Sequence, residues 1–187
     1  WMDVPVKFQG RKIIRLDPGS AFGTGSHPST RLCIKALEED PPVGKTIADL
    51  GCGSGILSLT ALQLGANCTF SVDTDSLAVS ATKNNSTLNN VPENVLKIFL
   101  GSIEELELHI PEKKIDLMLC NILAPVIKSL GPNFSKIIGH KGRVILSGLL
   151  VDQIKDLQEF FVNLDWEVID IQTKDQWALM VLTKKLS

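Results

Sequence analysis

Ala48-Asp49-Leu50-Gly51-Cys52-Gly53-Ser54-Gly55 is the stretch on which the reading of this chain turns. Apolar Ile47, Ala48 and Leu50 lead into its glycines, and Ile56-Leu57-Ser58-Leu59-Thr60-Ala61-Leu62 continues beyond them as a helix. That is the form of a turn between a first strand and a first helix, in which glycines let the backbone fold tightly against a ligand. The glycines occupy alternate positions, 51, 53 and 55. A dinucleotide fingerprint places its third glycine one residue later, where Ile56 stands, to seat a pyrophosphate over the helix start. Here an acid, Asp49, precedes the glycines, which suits a ligand carrying positive charge rather than phosphate.

Outward from this turn, short β-rich apolar runs alternate with helical patterns, which predicts a mostly parallel sheet covered by helices. Strands are expected at 46–49, 69–73, 96–100, 115–120 and 143–147, and helices at 30–39, 55–64, 76–89, 125–138 and 151–164. Two further runs, 166–173 and 177–183, lie close together across Lys174-Asp175-Gln176 and read as an antiparallel hairpin at the sheet edge. A seven-stranded, Rossmann-like α/β sheet closed by such a hairpin is the architecture of class I methyltransferases that use S-adenosylmethionine. That cofactor has a cationic sulfonium and an ammonium and no phosphate, as the acid beside the glycines prefers. Dehydrogenases usually close with another parallel strand.

Four further sites carry candidate chemistry. Eighteen residues after Gly55, Asp73 stands at the end of the second strand, where a carboxylate can accept from both hydroxyls of a ribose; capping of the helix near Ser76 is the other reading, and it suits Asp75 better. Ser102, after the third strand, can meet an adenine edge or cap a helix. Asn121 ends the fourth strand; its side-chain carbonyl can hold an amine behind a transferable methyl group, or the residue can serve only as a turn former before Pro125. Upstream, the segment 16–30 packs three glycines, Phe22 and His27 before a helix. Phe22 can close over a ligand, and Thr30 can donate to a cofactor or act as a plain N-cap. A lone His27 reads as structural rather than as a base.

Composition narrows the classes. The 187 residues form one domain, 1–187, long enough to bury a core on both faces of a sheet. A net charge of −2 with scattered basic residues disfavours a dedicated nucleic-acid binder or an anionic-membrane binder. The four cysteines form no CxxC pair and no metal-like group with the three histidines, so they read as reduced thiols of a cytoplasmic protein without a metal site. The most apolar run, 115–127, is interrupted by Asp116, Asn121 and Pro125 and is no membrane span.

Three stretches together resemble the ribosomal protein L11 methyltransferase family. They are Asp17-Pro18-Gly19-x-Ala21-Phe22-Gly23-Thr24-Gly25-x-His27-Pro28-x-Thr30, then Asp49-x-Gly51-Cys52-Gly53-Ser54-Gly55-Ile56-Leu57, then Asn121-Ile122-Leu123-Ala124. The resemblance implies that Thr30, Gly51, Asp73 and Asn121 bind S-adenosylmethionine and that lysine side-chain or N-terminal amines of a protein, ribosomal protein L11, accept the methyl group. It also implies that the chain is the catalytic domain alone, with residues 1–15 as a lead-in and a separate N-terminal substrate-recognition domain absent. The expected cofactor-binding set is therefore Phe22, Thr30, Asp49, Gly51, Gly53, Gly55, Asp73, Ser102 and Asn121, with Asn121 also catalytic. A small-molecule N-methyltransferase and a non-catalytic S-adenosylmethionine-binding module are the alternatives.

Overall fold

A computed structural model of the protein describes residues 11–17, 24–110 and 115–185. Its strands are β1 (Thr46–Leu50), β2 (Cys68–Asp73), β3 (Leu96–Leu100), β4 (Ile115–Asn121), β5 (Ile138–Leu150), β6 (Trp166–Lys174) and β7 (Trp177–Lys184). The helices are α1 (Pro28–Glu39), α2 (Ile56–Gln63), α3 (Ser76–Leu88), α4 (Ile103–His109), α5 (Ala124–Leu130), α6 (Phe134–Ile137) and α7 (Ile154–Val162). One seven-stranded sheet runs in the order β3-β2-β1-β4-β5-β7-β6. All neighbours are parallel except β5 with β7 and β7 with β6. The expected hairpin is therefore present, and Asp175 takes φ 55° at the first position of its two-residue turn, the left-handed backbone such turns require.

Strand periodicity sorts the core into two layers. In β1, Ala48 and Leu50 join Val72, Met118, Cys120 and Leu146 beneath α4 to α7, with Phe134 and Phe161 filling that side. Ile47 faces the other way, with Leu117, Leu119 and Ile145, against Leu32, Leu37 and Leu57 of α1 and α2. Strand order reverses between β1 and β4, which opens a crevice at the carboxyl ends of the parallel strands.

Four expectations need correction. The first helix starts at Pro28 rather than Thr30, because proline presets the first helical φ and His27 caps the turn by accepting from the Ser29 N–H. The helix expected over 125–138 is broken into α5, a 3₁₀ turn at Gly131–Asn133 and α6. Pro132 cannot donate to a continuous helix, and a side chain at Gly131 would press on the Phe160 and Phe161 rings, at 3.0 and 3.2 Å. The strand expected over 143–147 extends from Ile138 to Leu150 with a register shift against β4. Helix α4 is absent from the expected helices, although the reading of Ser102 as a cap anticipates it: it has only seven residues, held by buried Ile103 and Leu106, with Glu104 and Glu105 favourably placed in its first turn.

Candidate functional site

The crevice holds a cavity of about 540 Å³ lined by residues that follow successive strands. Gly51 and Gly53 come from the turn after β1, Asp73 from β2, Ser102 from the loop after β3 and Asn121 from β4. Five of the nine expected site residues thus meet at one cavity. Its size lies within the range of about 300–1,000 Å³ usual for small-molecule sites.

The glycine turn is shaped by backbone demands. Gly51 has φ +80°, and a Cβ there would lie 2.4 Å from Ile122 Cγ2; Gly55 has φ +78°, and a Cβ there would lie 2.7 Å from Thr82 Cγ2. Gly55 is the N-cap of α2 and is not among the residues that line the cavity. Asp73 pins the turn to β2, since its Oδ2 accepts from the Gly53 N–H at 2.9 Å while its Oδ1 accepts from the Asp75 N–H at 3.0 Å. A carboxylate has about four acceptor positions, so each oxygen keeps one for a ligand. Asp75 itself caps α3 by accepting from the Leu77 N–H at 2.8 Å.

Asp49 is placed differently. It shares the face of Ile47, is 1% exposed and lies outside the cavity lining, beneath α2. Its Oδ2 accepts from the Ser58 N–H at 3.1 Å and the Ser58 hydroxyl at 2.5 Å, and that hydroxyl lies 2.7 Å from Ser71 Oγ. Because Gly55 has no side chain, Asp49 supplies the acceptor that the first turn of α2 would otherwise lack. Burial raises its carboxyl to about 6, against the lowering pull of the two Ser58 hydrogen bonds and with a further upward push from Asp73.

Asn121 Nδ2 donates to Thr30 Oγ1 at 3.3 Å, which connects α1 with β4 and explains why Thr30 is fully buried in the third position of α1. The other end of the amide, Oδ1, is buried and has no hydrogen-bond partner among the described residues. Gly148, φ +77°, gives that oxygen room: a Cβ there would approach it to 3.2 Å and the Ile122 carbonyl to 2.6 Å. Ser102 stands at the N-cap of α4 without making a side-chain capping bond and lines the cavity. Phe22 lies outside the described residues.

Sequence reasoning missed several lining residues. Ile122, Leu123, Val126 and Leu130 form an apolar wall, with Leu123 65% exposed at its rim. Gly148 and Trp177 complete the far side; Trp177 meets the His27 ring edge-on, with centroids 4.5 Å apart. Gly148 had a signal, a glycine directly after an apolar strand. Trp177 had none without topology, because only an antiparallel β7 brings its first residue to the carboxyl end of the parallel strands. Cys33, Cys52 and Cys120 are buried thiols pushed upward by desolvation, Cys33 to about 12, so they stay protonated. Among the described residues no cluster of His, Cys, Asp and Glu is arranged to hold a metal, and no helix is long and apolar enough to cross a membrane.

Sheet order, glycine turn and strand-end acid together define the Rossmann-like fold of S-adenosylmethionine-dependent methyltransferases. The model of the ribosomal protein L11 methyltransferase (PrmA) family matches residues 1–185, and the chain belongs to that family. A ribosomal protein L11 methyltransferase of Parasynechococcus marenigrum is 51% identical over 185 residues, 99% of this chain and 64% of that protein. One of Prochlorococcus marinus is 49% identical, over 98% of this chain and 60% of its own length. The chain therefore spans about three-fifths of the length of these curated relatives. The crystal structure of the ribosomal protein L11 methylase of Lactobacillus delbrueckii subsp. bulgaricus superimposes with a TM-score of 0.87 at 28% identity, covering 100% of this chain and 92% of that one.

Proposed function

We propose that the protein is an S-adenosylmethionine-dependent N-methyltransferase of the cytoplasm that modifies lysine side-chain or N-terminal amines of ribosomal protein L11. One observation carries the reading: Asn121, whose buried Oδ1 has no hydrogen-bond partner among the described residues, lines the cavity that Asp73 also lines. A buried acceptor without a donor costs about 1–3 kcal/mol, a cost that an N–H group from a ligand or substrate removes.

The donor set suits the cofactor. The two free acceptor positions of Asp73 match a pair of ribose hydroxyls, Ser102 lies where a base edge would be met, and the Gly51-Gly53 backbone admits close approach. Asp49 supports this arrangement from below, through Ser58 and the first turn of α2. When bound, S-adenosylmethionine supplies an electrophilic methyl group on a cationic sulfonium. Asn121 Oδ1 accepts an N–H of the substrate amine and so fixes the direction of its lone pair, with Thr30 holding the other end of the amide. Ile122, Leu123, Val126 and Leu130 strip water from an entering ammonium and lower its pKa from the usual value of about 10.4, so that a neutral amine can attack without a dedicated base.

The test is transfer of labelled methyl from S-adenosylmethionine to purified ribosomal protein L11, with peptide mapping of the product. Label on lysine or N-terminal amines is expected. The Asn121→Ala variant should lose tenfold to a hundredfold in turnover, roughly 1.4–2.8 kcal/mol of transition-state stabilisation. Label appearing only in a metabolite pool would reassign the substrate, and full turnover by Asn121→Ala would remove its catalytic role.

A further inference from the structure

One face of α3 reaches two segments at once. Thr82, Asn85 and Asn89 recur at spacings of three and four and so share that face. Thr82 Oγ1 donates to the Gly53 carbonyl at 2.9 Å, and Asn85 Nδ2 donates to the Ser54 carbonyl at 2.8 Å. The helix thereby holds the glycine turn by two consecutive backbone oxygens. The same Asn85 accepts from the Asp17 N–H through Oδ1 at 2.8 Å. Four residues on, Asn89 embraces Arg15, accepting from its N–H at 2.8 Å and donating to its carbonyl at 2.7 Å.

Asn85 is 1% exposed, and its two bonds fix its chemistry. It faces a backbone N–H on one side and a backbone carbonyl on the other, and its amide satisfies both in one orientation. An aspartate would keep the acceptor and lose the donor. Residues 11–17 have few other anchors: Leu16 packs partly buried against the α1–α2 side of the core, and Lys12 Nζ reaches the Gln63 carbonyl. Arg11, Lys12, Ile13, Arg15 and Asp17 are exposed. With so little apolar burial, docking of this segment has a small free energy, and the asparagine tethers are a large share of it.

We infer that Asn85, with Asn89 behind it, is a positioning residue that couples the docking of residues 11–17 to the shape of the ligand-binding glycine turn. The inference rests on the cavity being the S-adenosylmethionine site. When the lead-in is seated on α3, Asn85 is held from the Asp17 side and presents its amide N–H to Ser54; when it is unseated, that side chain loses one of its two restraints and the turn loosens. Coupling between two sites is reciprocal, so a ligand that fixes the turn also tightens the lead-in.

Two variants unseat the segment without touching the cavity: Asn89→Ala removes the hold on Arg15 together with the Asn89 Nδ2 bond to the Asn85 carbonyl, and Leu16→Ala, which leaves the hydrogen bonds of α3 in place, removes the apolar anchor on the other side. Each should weaken S-adenosylhomocysteine binding by roughly fivefold or more in calorimetry, with the circular dichroism of the fold retained. In the wild-type chain, saturating S-adenosylhomocysteine should slow amide hydrogen exchange at Arg15 and Asp17, a measurement that needs no variant. Wild-type affinity in either folded variant, or exchange at Arg15 and Asp17 that ignores the ligand, overturns the inference. Failure of the wild-type chain to bind S-adenosylhomocysteine would instead overturn the cofactor reading, and this inference with it.

Discussion

Asp49 and Asp73 divide the work around the glycine turn. Asp73 looks into the cavity and keeps acceptor capacity free, whereas Asp49 is spent inside the fold on Ser58. Removing the first should act on binding: Asp73→Ala is expected to weaken S-adenosylhomocysteine affinity by about 1.5–3 kcal/mol, read by calorimetry. Removing the charge of the second should act on stability and its pH dependence. Asp49 titrates near 6 when folded, above the ordinary value of 3.8, so folding favours its protonated form. Its contribution to stability is full below the ordinary pKa and is lost as pH rises through about 6, a change of roughly 3 kcal/mol at most. Asp49→Asn keeps an acceptor for Ser58 and carries no charge, so its stability relative to wild type should climb between pH 4 and 6 and level off above; a flat difference in urea titrations would refute the buried charge. The sequence made the acid visible but not its direction. The aim follows from period two along β1, since Ile47 and Asp49 share the face that α2 covers, whereas Ala48 and Leu50 face the other layer.

Among elements, the turn between β1 and α2 is where backbone geometry and ligand access conflict most. A Cβ on Gly51 would be strained by its φ of +80° and would meet Ile122 Cγ2, a branched atom next to the backbone of the loop after β4. Gly51→Ala should therefore lose about 1–2 kcal/mol of stability to backbone strain and weaken ligand binding besides, because Ile122 lines the cavity. Adding Ile122→Ala should restore part of the affinity by removing the clash, leaving the strain in place. Equal affinity in Gly51→Ala and wild type, by calorimetry, would refute this account. Elements with strong local signals were legible: the glycine turn, β1 to β4, α3 with its Asp75 cap, and the hairpin around Asp175. Elements set by tertiary packing were not. Helix α4 is too short to carry a period, the Gly131-Pro132 break answers to the rings of Phe160 and Phe161, and the shift in β5 arises where Gly142 fits beneath the Ile115 carbonyl.

At the scale of the whole molecule, the cavity belongs to no single element. Its wall is drawn from residues near the ends of β1, β2, β3, β4 and β5, from the start of β7, and from α5 and the start of α1, so a ligand there bridges most of the sheet. This strand order was not readable from the chain, since nothing local specifies that β4 returns beside β1; the Asn121 amide, the Gly148 recess and Trp177 meet only because it does. Such a site ties ligand binding to global rather than local unfolding. S-adenosylhomocysteine at a hundred times its dissociation constant should add about 2.7 kcal/mol, which raises the melting temperature by about 5–11 °C for a domain of this size. The shift should appear in one cooperative transition, by calorimetry and by far-ultraviolet circular dichroism alike. A transition that split on adding ligand would show that the strand ends around the cavity unfold separately from the hairpin side, and a melting temperature unmoved at saturation would place the ligand elsewhere.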